Sequence, residues 1–212
     1  MKDLSLHILD IVQNSIRAGA KLVQITIQEK ALDNSYTICI TDDGFGMTEE
    51  ELLKVTDPYF TSRTTRKVGL GIPLLKQNAE RTGGCVNIHS IKGLGTTVTA
   101  KFGLTHLDRP ATGDIASTMV LLIAGTTNVE FEFTYQTDKG QYSIKSLEIK
   151  DILEGIPLYE FEVQRQLKEM INSFSTDLKK SAQLREIKFT STLTTPKEVI
   201  IQKDKLLFEL LK

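Results

Sequence analysis

Three glycine turns, each set where a strand ends or a helix begins, limit what this chain can fold into more than any other feature. The first is Asp42-Asp43-Gly44-Phe45-Gly46-Met47, directly after an alternating run at residues 36–41. The second is Gly69-Leu70-Gly71, which opens a helical pattern over residues 71–82 that Pro73 helps to start and Gly83-Gly84 to end. The third is Gly93-Leu94-Gly95-Thr96-Thr97, between strand-like runs at 85–90 and 96–102. Glycine lets the backbone approach a ligand closely. A glycine turn at a helix N-terminus presents unpaired N–H groups and the positive end of the helix dipole to anions such as phosphate. The second turn is not a Rossmann fingerprint, because Leu74 stands where the third glycine belongs. It is not a P-loop either, because no Gly-Lys-Ser/Thr follows at the required spacing.

Around these turns the periodicity is clear. Leu4, Ile8, Ile11 and Val12 recur at helical spacing over residues 3–17, and Gly19 supplies the stop. Val23, Ile25 and Ile27 alternate with Gln24, Thr26 and Gln28, the pattern of a half-buried strand. Asp33-Asn34-Ser35 has turn chemistry, and Ile38 and Ile40 face inward on a second strand. Thr48 with Glu51 forms a capping box for a short helix ending near residue 55. Residues 57–68 have no periodicity, contain Pro58, Arg63, Arg66 and Lys67, and read as an exposed loop. The order is α, β, β, α, α, β, β.

The second half reads differently. A helix is expected over 114–124 and a hairpin from 129–135 and 141–144 around Asp138-Lys139-Gly140. Helices follow near 146–153 and 160–180, then a strand from about 186 and a helix opened by Thr195-Pro196. The expected boundary lies around 104–110, dividing the 212 residues into 1–104 and an α+β domain over 105–212, with partner binding as the role left for the latter. Hydrophobic residues make up 40% and charged residues 25%, the balance of a soluble globular protein. A net charge of -1 gives no basic field for nucleic acid or an anionic membrane. The longest apolar run, 119–124, is too short to cross a bilayer, and Met1-Lys2-Asp3 leads into an amphipathic helix rather than a signal peptide. Cys39 and Cys85 sit among β-branched residues and are expected as buried free thiols in a reducing cytoplasm.

The first helix carries the remaining chemistry. At about 100° per residue, His7, Asp10, Asn14 and Arg17 lie opposite the apolar stripe. The amide oxygen of Asn14 suits a hard cation such as Mg²⁺. Arg17 suits a phosphate, and Asp10 suits proton transfer with a water or hydroxyl. Asp42, at a strand end, can accept a hydrogen bond from an exocyclic amine such as that of adenine. Taken singly, each feature has a plainer reading: a solvated helix face, an Asp-Gly turn, a glycine loop with solubilising charges, a simple hairpin.

Together, in this order, they resemble a known family. Residues 9–20, Leu-Asp-Ile-Val-Gln-Asn-Ser-Ile-Arg-Ala-Gly-Ala, resemble the Asn-containing box of GHKL ATPases, which include gyrase B subunits, MutL-type proteins, large heat-shock chaperones and histidine kinases. Asp42-x-Gly44-x-Gly46 resembles the first glycine box, and Asp57-Pro58-Tyr59-Phe60-Thr61-Ser62 the aromatic box of histidine kinases. Val68-Gly69-Leu70-Gly71-Ile72 resembles the second glycine box and Gly93-x-Gly95-Thr96-Thr97 the last. The resemblance covers about residues 1–104. Leu6 to Asp10 and Asp108-Arg109-Pro110 are also similar to segments of small stand-alone histidine-kinase-like ATPases of anaerobic bacteria. It implies a Bergerat fold, an α/β two-layer sandwich with a mixed β-sheet covered on one face by helices, here followed by the smaller α+β domain.

The resemblance also implies roles. Asn14 would ligate Mg²⁺, and Asp42 would bind the adenine amine with help from Thr96. Gly44 and Gly46 would shape the adenine pocket. Gly69, Leu70 and Gly71 would donate backbone N–H groups to phosphate, and Arg17, Arg63 and Lys67 would approach the phosphates. Residues 57–68 would form a short lid. Hydrolytic members carry Glu four residues before the box Asn, where this chain has the shorter Asp10. The phospho-acceptor hairpin of a histidine kinase has no place ahead of a box helix that starts near residue 3. Of the three histidines, neither His89 nor His106 precedes an acidic residue, and His7 is expected to make a local hydrogen bond on the polar face. The function implied is Mg²⁺-ATP binding with phosphorylation of a regulatory partner protein in trans, in the cytoplasm. The alternatives are a non-catalytic ATP-dependent switch and a slow ATPase gated by dimerisation, which leaves a homo-oligomer open.

Overall fold

The computed structural model describes residues 3–55 and 71–187. Its element order is α1 (Leu4–Arg17), β1 (Leu22–Lys30), β2 (Ser35–Asp42), α2 (Glu49–Lys54), α3 (Gly71–Arg81), β3 (Cys85–Ile91) and β4 (Gly95–Gly103). There follow α4 (Ile115–Gly125), β5 (Glu130–Thr137), β6 (Gly140–Lys145), α5 (Ser146–Ile152) and α6 (Phe161–Ile187). The helix boundaries have local causes. Asp3 caps α1 by accepting from the Leu6 N–H at 3.0 Å. Thr48 and Glu51 close the capping box of α2 in both directions. Asp114 caps α4 through the Ser117 N–H at 2.9 Å. Gly83, at φ +74, supplies the left-handed residue that ends α3.

All six strands form one mixed sheet in the order β3-β4-β2-β1-β5-β6. Every pairing is antiparallel except β1 with β5, whose parallel register sets Ile25 beside Phe133. Side-chain alternation gives the sheet two unlike faces. Val23, Ile25, Ile27, Tyr36, Ile38, Ile40, Phe131, Phe133 and Tyr135 are buried on the face that α1, α3, α4 and α6 cover. Burial of side chains of this size stabilises by roughly 1.5–3 kcal/mol each. The opposite face carries Gln24, Thr26, Thr37, Thr41, Thr97 and Thr99, partly exposed, with a 3.1 Å hydroxyl contact between Thr41 and Thr97. Cys39 shares that outer face and is only half-buried, while Cys85 on the edge strand is exposed. Both were expected to be buried; the inward positions of β2 belong to its isoleucines, and β3 has a neighbour on one side only.

The expected boundary near 104–110 coincides with no break in the sheet or the core. β5 and β6 extend the same sheet, and residues of α4, β5, β6 and α6 join α1 and β1 in one hydrophobic cluster. The connecting stretch is itself fastened down. Leu4 and Ser5 donate backbone hydrogen bonds to the carbonyls of Ala111 and Thr112 at 2.9 and 3.0 Å. Arg109 donates to the Leu104 carbonyl at 2.9 Å, and its guanidinium lies 5.0 Å from the ring centre of the buried Tyr36. The last expected strand begins where α6 still continues to Ile187, and the rest of that tail lies outside the described residues.

Candidate functional site

Along the helix-covered face, three strands end in polar residues. The antiparallel registers align Val86 with Ala100 and Ile38, then Ile88 with Val98 and Ile40, then Ser90 with Thr96 and Asp42. Two apolar rows thus give way to one polar row at the sheet's end, under α1. Asp42 is 8% exposed. Its Oδ2 accepts a 2.6 Å hydrogen bond from the Ser15 hydroxyl, and its Oδ1 a 3.0 Å bond from the Gly44 N–H. A carboxylate offers about four acceptor directions, so these two contacts orient the group and leave capacity for a further donor. Thr96 lies directly across from Asp42 and shares a 2.8 Å hydroxyl contact with Ser90.

The loop after Asp42 is built for close approach. A Cβ on Gly44 would lie 2.8 Å from the Ala18 carbonyl oxygen and 2.9 Å from Asp42 Oδ1. Gly46 has φ +61, and a Cβ there would come within 2.1 Å of the Ile91 carbonyl oxygen. The Phe45 N–H donates to Ala18 at 2.8 Å, the Gly93 N–H donates to Phe45 at 2.8 Å, and the Met47 N–H donates to the Ser90 hydroxyl at 2.8 Å. The first and third glycine turns are therefore sewn to each other and to the end of α1.

The second turn reaches the site through Gly71, the first residue of α3. A Cβ on Gly71 would lie 1.8 Å from Asp10 Oδ2, so only glycine leaves room for that carboxylate. Asn14 and Arg17 follow on the same side of α1, with the Arg17 guanidinium donating to Asn14 Oδ1. The fold thus brings Asp10, Asn14, Arg17, Asp42, Gly44, Gly46, Gly71 and Thr96 together. Arg63, Lys67, Gly69 and Leu70, with the lid, lie outside the described residues.

His7 departs from expectation. It is buried, not on a wet face, and its Nε2 lies 3.1 Å from Asn78 Nδ2 on α3. Its Nδ1 has no hydrogen-bond partner among the described residues, and burial lowers its pKa to about 4, so the ring is neutral near pH 7. Ser15 and Ser90 are the site residues that sequence reasoning passed over. Each breaks an apolar series at an inward position: Ser15 after Ile8 and Ile11, Ser90 after Val86 and Ile88. A lone hydroxyl on a buried stripe was the available signal. Among the described residues no cluster of metal-ligating side chains stands out, and no helix is long and apolar enough to cross a membrane.

The first half of the chain is similar to known proteins. A family model described as histidine kinase-, DNA gyrase B-, and HSP90-like ATPase matches residues 2–106. The non-motile and phage-resistance protein of Caulobacter vibrioides is 29% identical over 52% of this chain and 14% of its own length. Histidine protein kinase DivJ of the same organism is 30% identical over 44% of this chain and 16% of its own. Sporulation kinase B of Bacillus subtilis is 32% identical over 44% and 22%. The match therefore spans less than a quarter of each of these relatives. The N-terminal domain of a DNA repair protein shares 17% identity at a TM-score of 0.48, covering 68% of this chain and 52% of that one.

Proposed function

Because residues 2–106 of the chain belong to the histidine kinase-, DNA gyrase B-, and HSP90-like ATPase family, we propose that it binds Mg²⁺-ATP in the site beneath α1 and transfers the γ-phosphoryl group to a regulatory partner protein in the cytoplasm. The observation that carries nucleotide binding is Asp42, a buried carboxylate held by Ser15 and Gly44 with acceptor capacity left over. The exocyclic amine of adenine is the donor that fits it, and the glycine loop admits the flat base. The chemistry of the remaining donors fits a metal–triphosphate: a half-buried amide at Asn14, a cation at Arg17, and a helix N-terminus at Gly71. When bound, Mg²⁺ neutralises phosphate charge and orients the terminal phosphoryl group.

In the transfer itself, a hydroxyl oxygen of the partner forms the new bond to the γ-phosphorus as the bond to the bridging oxygen breaks and ADP leaves. Asp10, against the start of α3, is placed to take the hydroxyl proton. The test is incubation of purified protein with γ-labelled ATP and Mg²⁺, with and without candidate partners, following label into protein and free phosphate. Label in a partner, and its loss in Asp42→Asn, is the expected result. Nucleotide binding with no label in any partner or in free phosphate would end the kinase reading.

A second reading rests on the Arg17–Asn14 contact. The guanidinium engages the oxygen proposed for the metal, so nucleotide arrival must exchange this pair for phosphate and metal contacts. Such a rearrangement at the end of α1 makes a non-catalytic, nucleotide-dependent switch, which binds its partner only when ATP is present.

A further inference from the structure

Beside the apolar residues where α1 meets α3 stands one polar pair. His7 is 1% exposed, and its Nε2 meets Asn78 Nδ2 at 3.1 Å. On α3 the fully buried neighbours are Leu75 and Ala79, one medium and one small side chain. Contacts of that kind are not directional and tolerate a shift of one helix along another. A hydrogen bond does not, because it weakens steeply with distance and angle. Among the described residues the pair also leaves His7 Nδ1 buried without a partner, a cost that two apolar residues would avoid. Stability alone does not account for it.

Position does. His7 lies one turn before Asp10 on α1, and Asn78 lies two turns beyond Gly71 on α3, so the helices run in opposite directions with two meeting points. At the second, Asp10 fills the space that Gly71 leaves open. A slip of α3 by one residue, about 1.5 Å, would carry Gly71 out of that place. We propose that His7 and Asn78 are positioning residues that lock the register of α3 on α1 and so fix the start of α3 relative to Asp10 and Asn14. The consequence for triphosphate binding rests on the nucleotide site proposed above.

The test uses the full chain in three variants: His7→Leu with Asn78→Leu, Asn78→Ala, and His7→Gln, whose amide reaches the place of Nε2. Crystal structures report the register, and calorimetry reports ATP and ADP affinity. The doubly substituted protein is expected to melt at or above the wild-type temperature, with α3 shifted and ATP affinity lowered about tenfold. His7→Gln is expected to keep both register and affinity. Should the double variant not fold, Asn78→Ala carries the same comparison, since it removes only the half-buried partner. An unshifted α3 in the variants overturns the inference. A shifted α3 with ATP affinity intact overturns instead the placement of the triphosphate at that helix.

Discussion

The Ser15 hydroxyl donates a 2.6 Å hydrogen bond to Asp42 Oδ2, joining the apolar side of α1 to the end of β2. With the Gly44 N–H on Oδ1, it orients the carboxylate and, among the described residues, leaves acceptor capacity for a further donor. Hydrogen bonds to charged groups are worth about 1.5–3 kcal/mol, so Ser15→Ala should weaken ATP binding by roughly 10- to 100-fold. Asp42→Asn should abolish measurable binding, because it turns an acceptor into a donor facing the adenine amine. Calorimetry decides both; unchanged affinity in Asp42→Asn would remove the adenine assignment.

Gly71→Ala separates the site from the fold. The nearest atoms a methyl group there would meet belong to the Asp10 side chain, and alanine is the better helix former. Thermal stability should stay level or rise by up to about 1 kcal/mol, while Asp10 is displaced and turnover falls. A stable Gly71→Ala protein with undiminished turnover would show that the place of Asp10 is immaterial.

Gly46 should behave oppositely. Alanine there would have to adopt φ +61 and meet a backbone carbonyl that cannot rotate away. Gly46→Ala should cost about 1–3 kcal/mol of stability or more, read as a lowered urea midpoint, with nucleotide binding lost alongside.

The parts read from the sequence were those set by short-range rules: the capping box of α2, the strand alternation, the hairpin at Asp138–Gly140, and the order of the glycine turns. The resemblance to a known family led one to expect that they meet at one place; the described residues bring together the first and third turns, the face of α1 and, of the second turn, Gly71. What escaped depended on distant register. Ser90 joins Asp42 only through β4, and Ser15 reaches Asp42 across 27 positions of chain. The extension of the sheet by β5 escaped for the same reason: its parallel pairing with β1 crosses more than a hundred residues and carries no local signature. His7 was misplaced because one polar residue on a helix looks the same in sequence whether water or another helix faces it.

Acid should reveal His7. Its unfolded pKa is 6.5 and burial lowers the folded value to about 4, so the unfolded chain takes up the proton first. The contribution is fully present above about pH 6.5 and is lost as pH falls toward 4, up to about 3 kcal/mol. Urea unfolding at pH 7 and pH 4.5 should therefore show a steeper loss in the wild type than in His7→Gln. Parallel losses in the two proteins would contradict a buried, neutral ring.

Substitution of Asp10 distinguishes an enzyme from a switch. The carboxylate stands one turn before Asn14 and against the first residue of α3, where a γ-phosphoryl group bound to that helix end would lie near it. If Asp10 takes the proton of the attacking hydroxyl, Asp10→Asn removes that function while preserving size and the fit to Gly71. Turnover should then drop by roughly 10²–10⁴-fold with ATP affinity nearly unchanged. If Asp10 instead holds the start of α3 in place, the amide should weaken Mg²⁺-ATP binding, and the loss should appear in affinity before rate. The kinase reading expects the first pattern. Single-turnover transfer to a partner, measured beside equilibrium ATP binding for the same variant, separates the two. An Asp10→Asn protein unaltered in both would exclude this carboxylate from the chemistry and from the site.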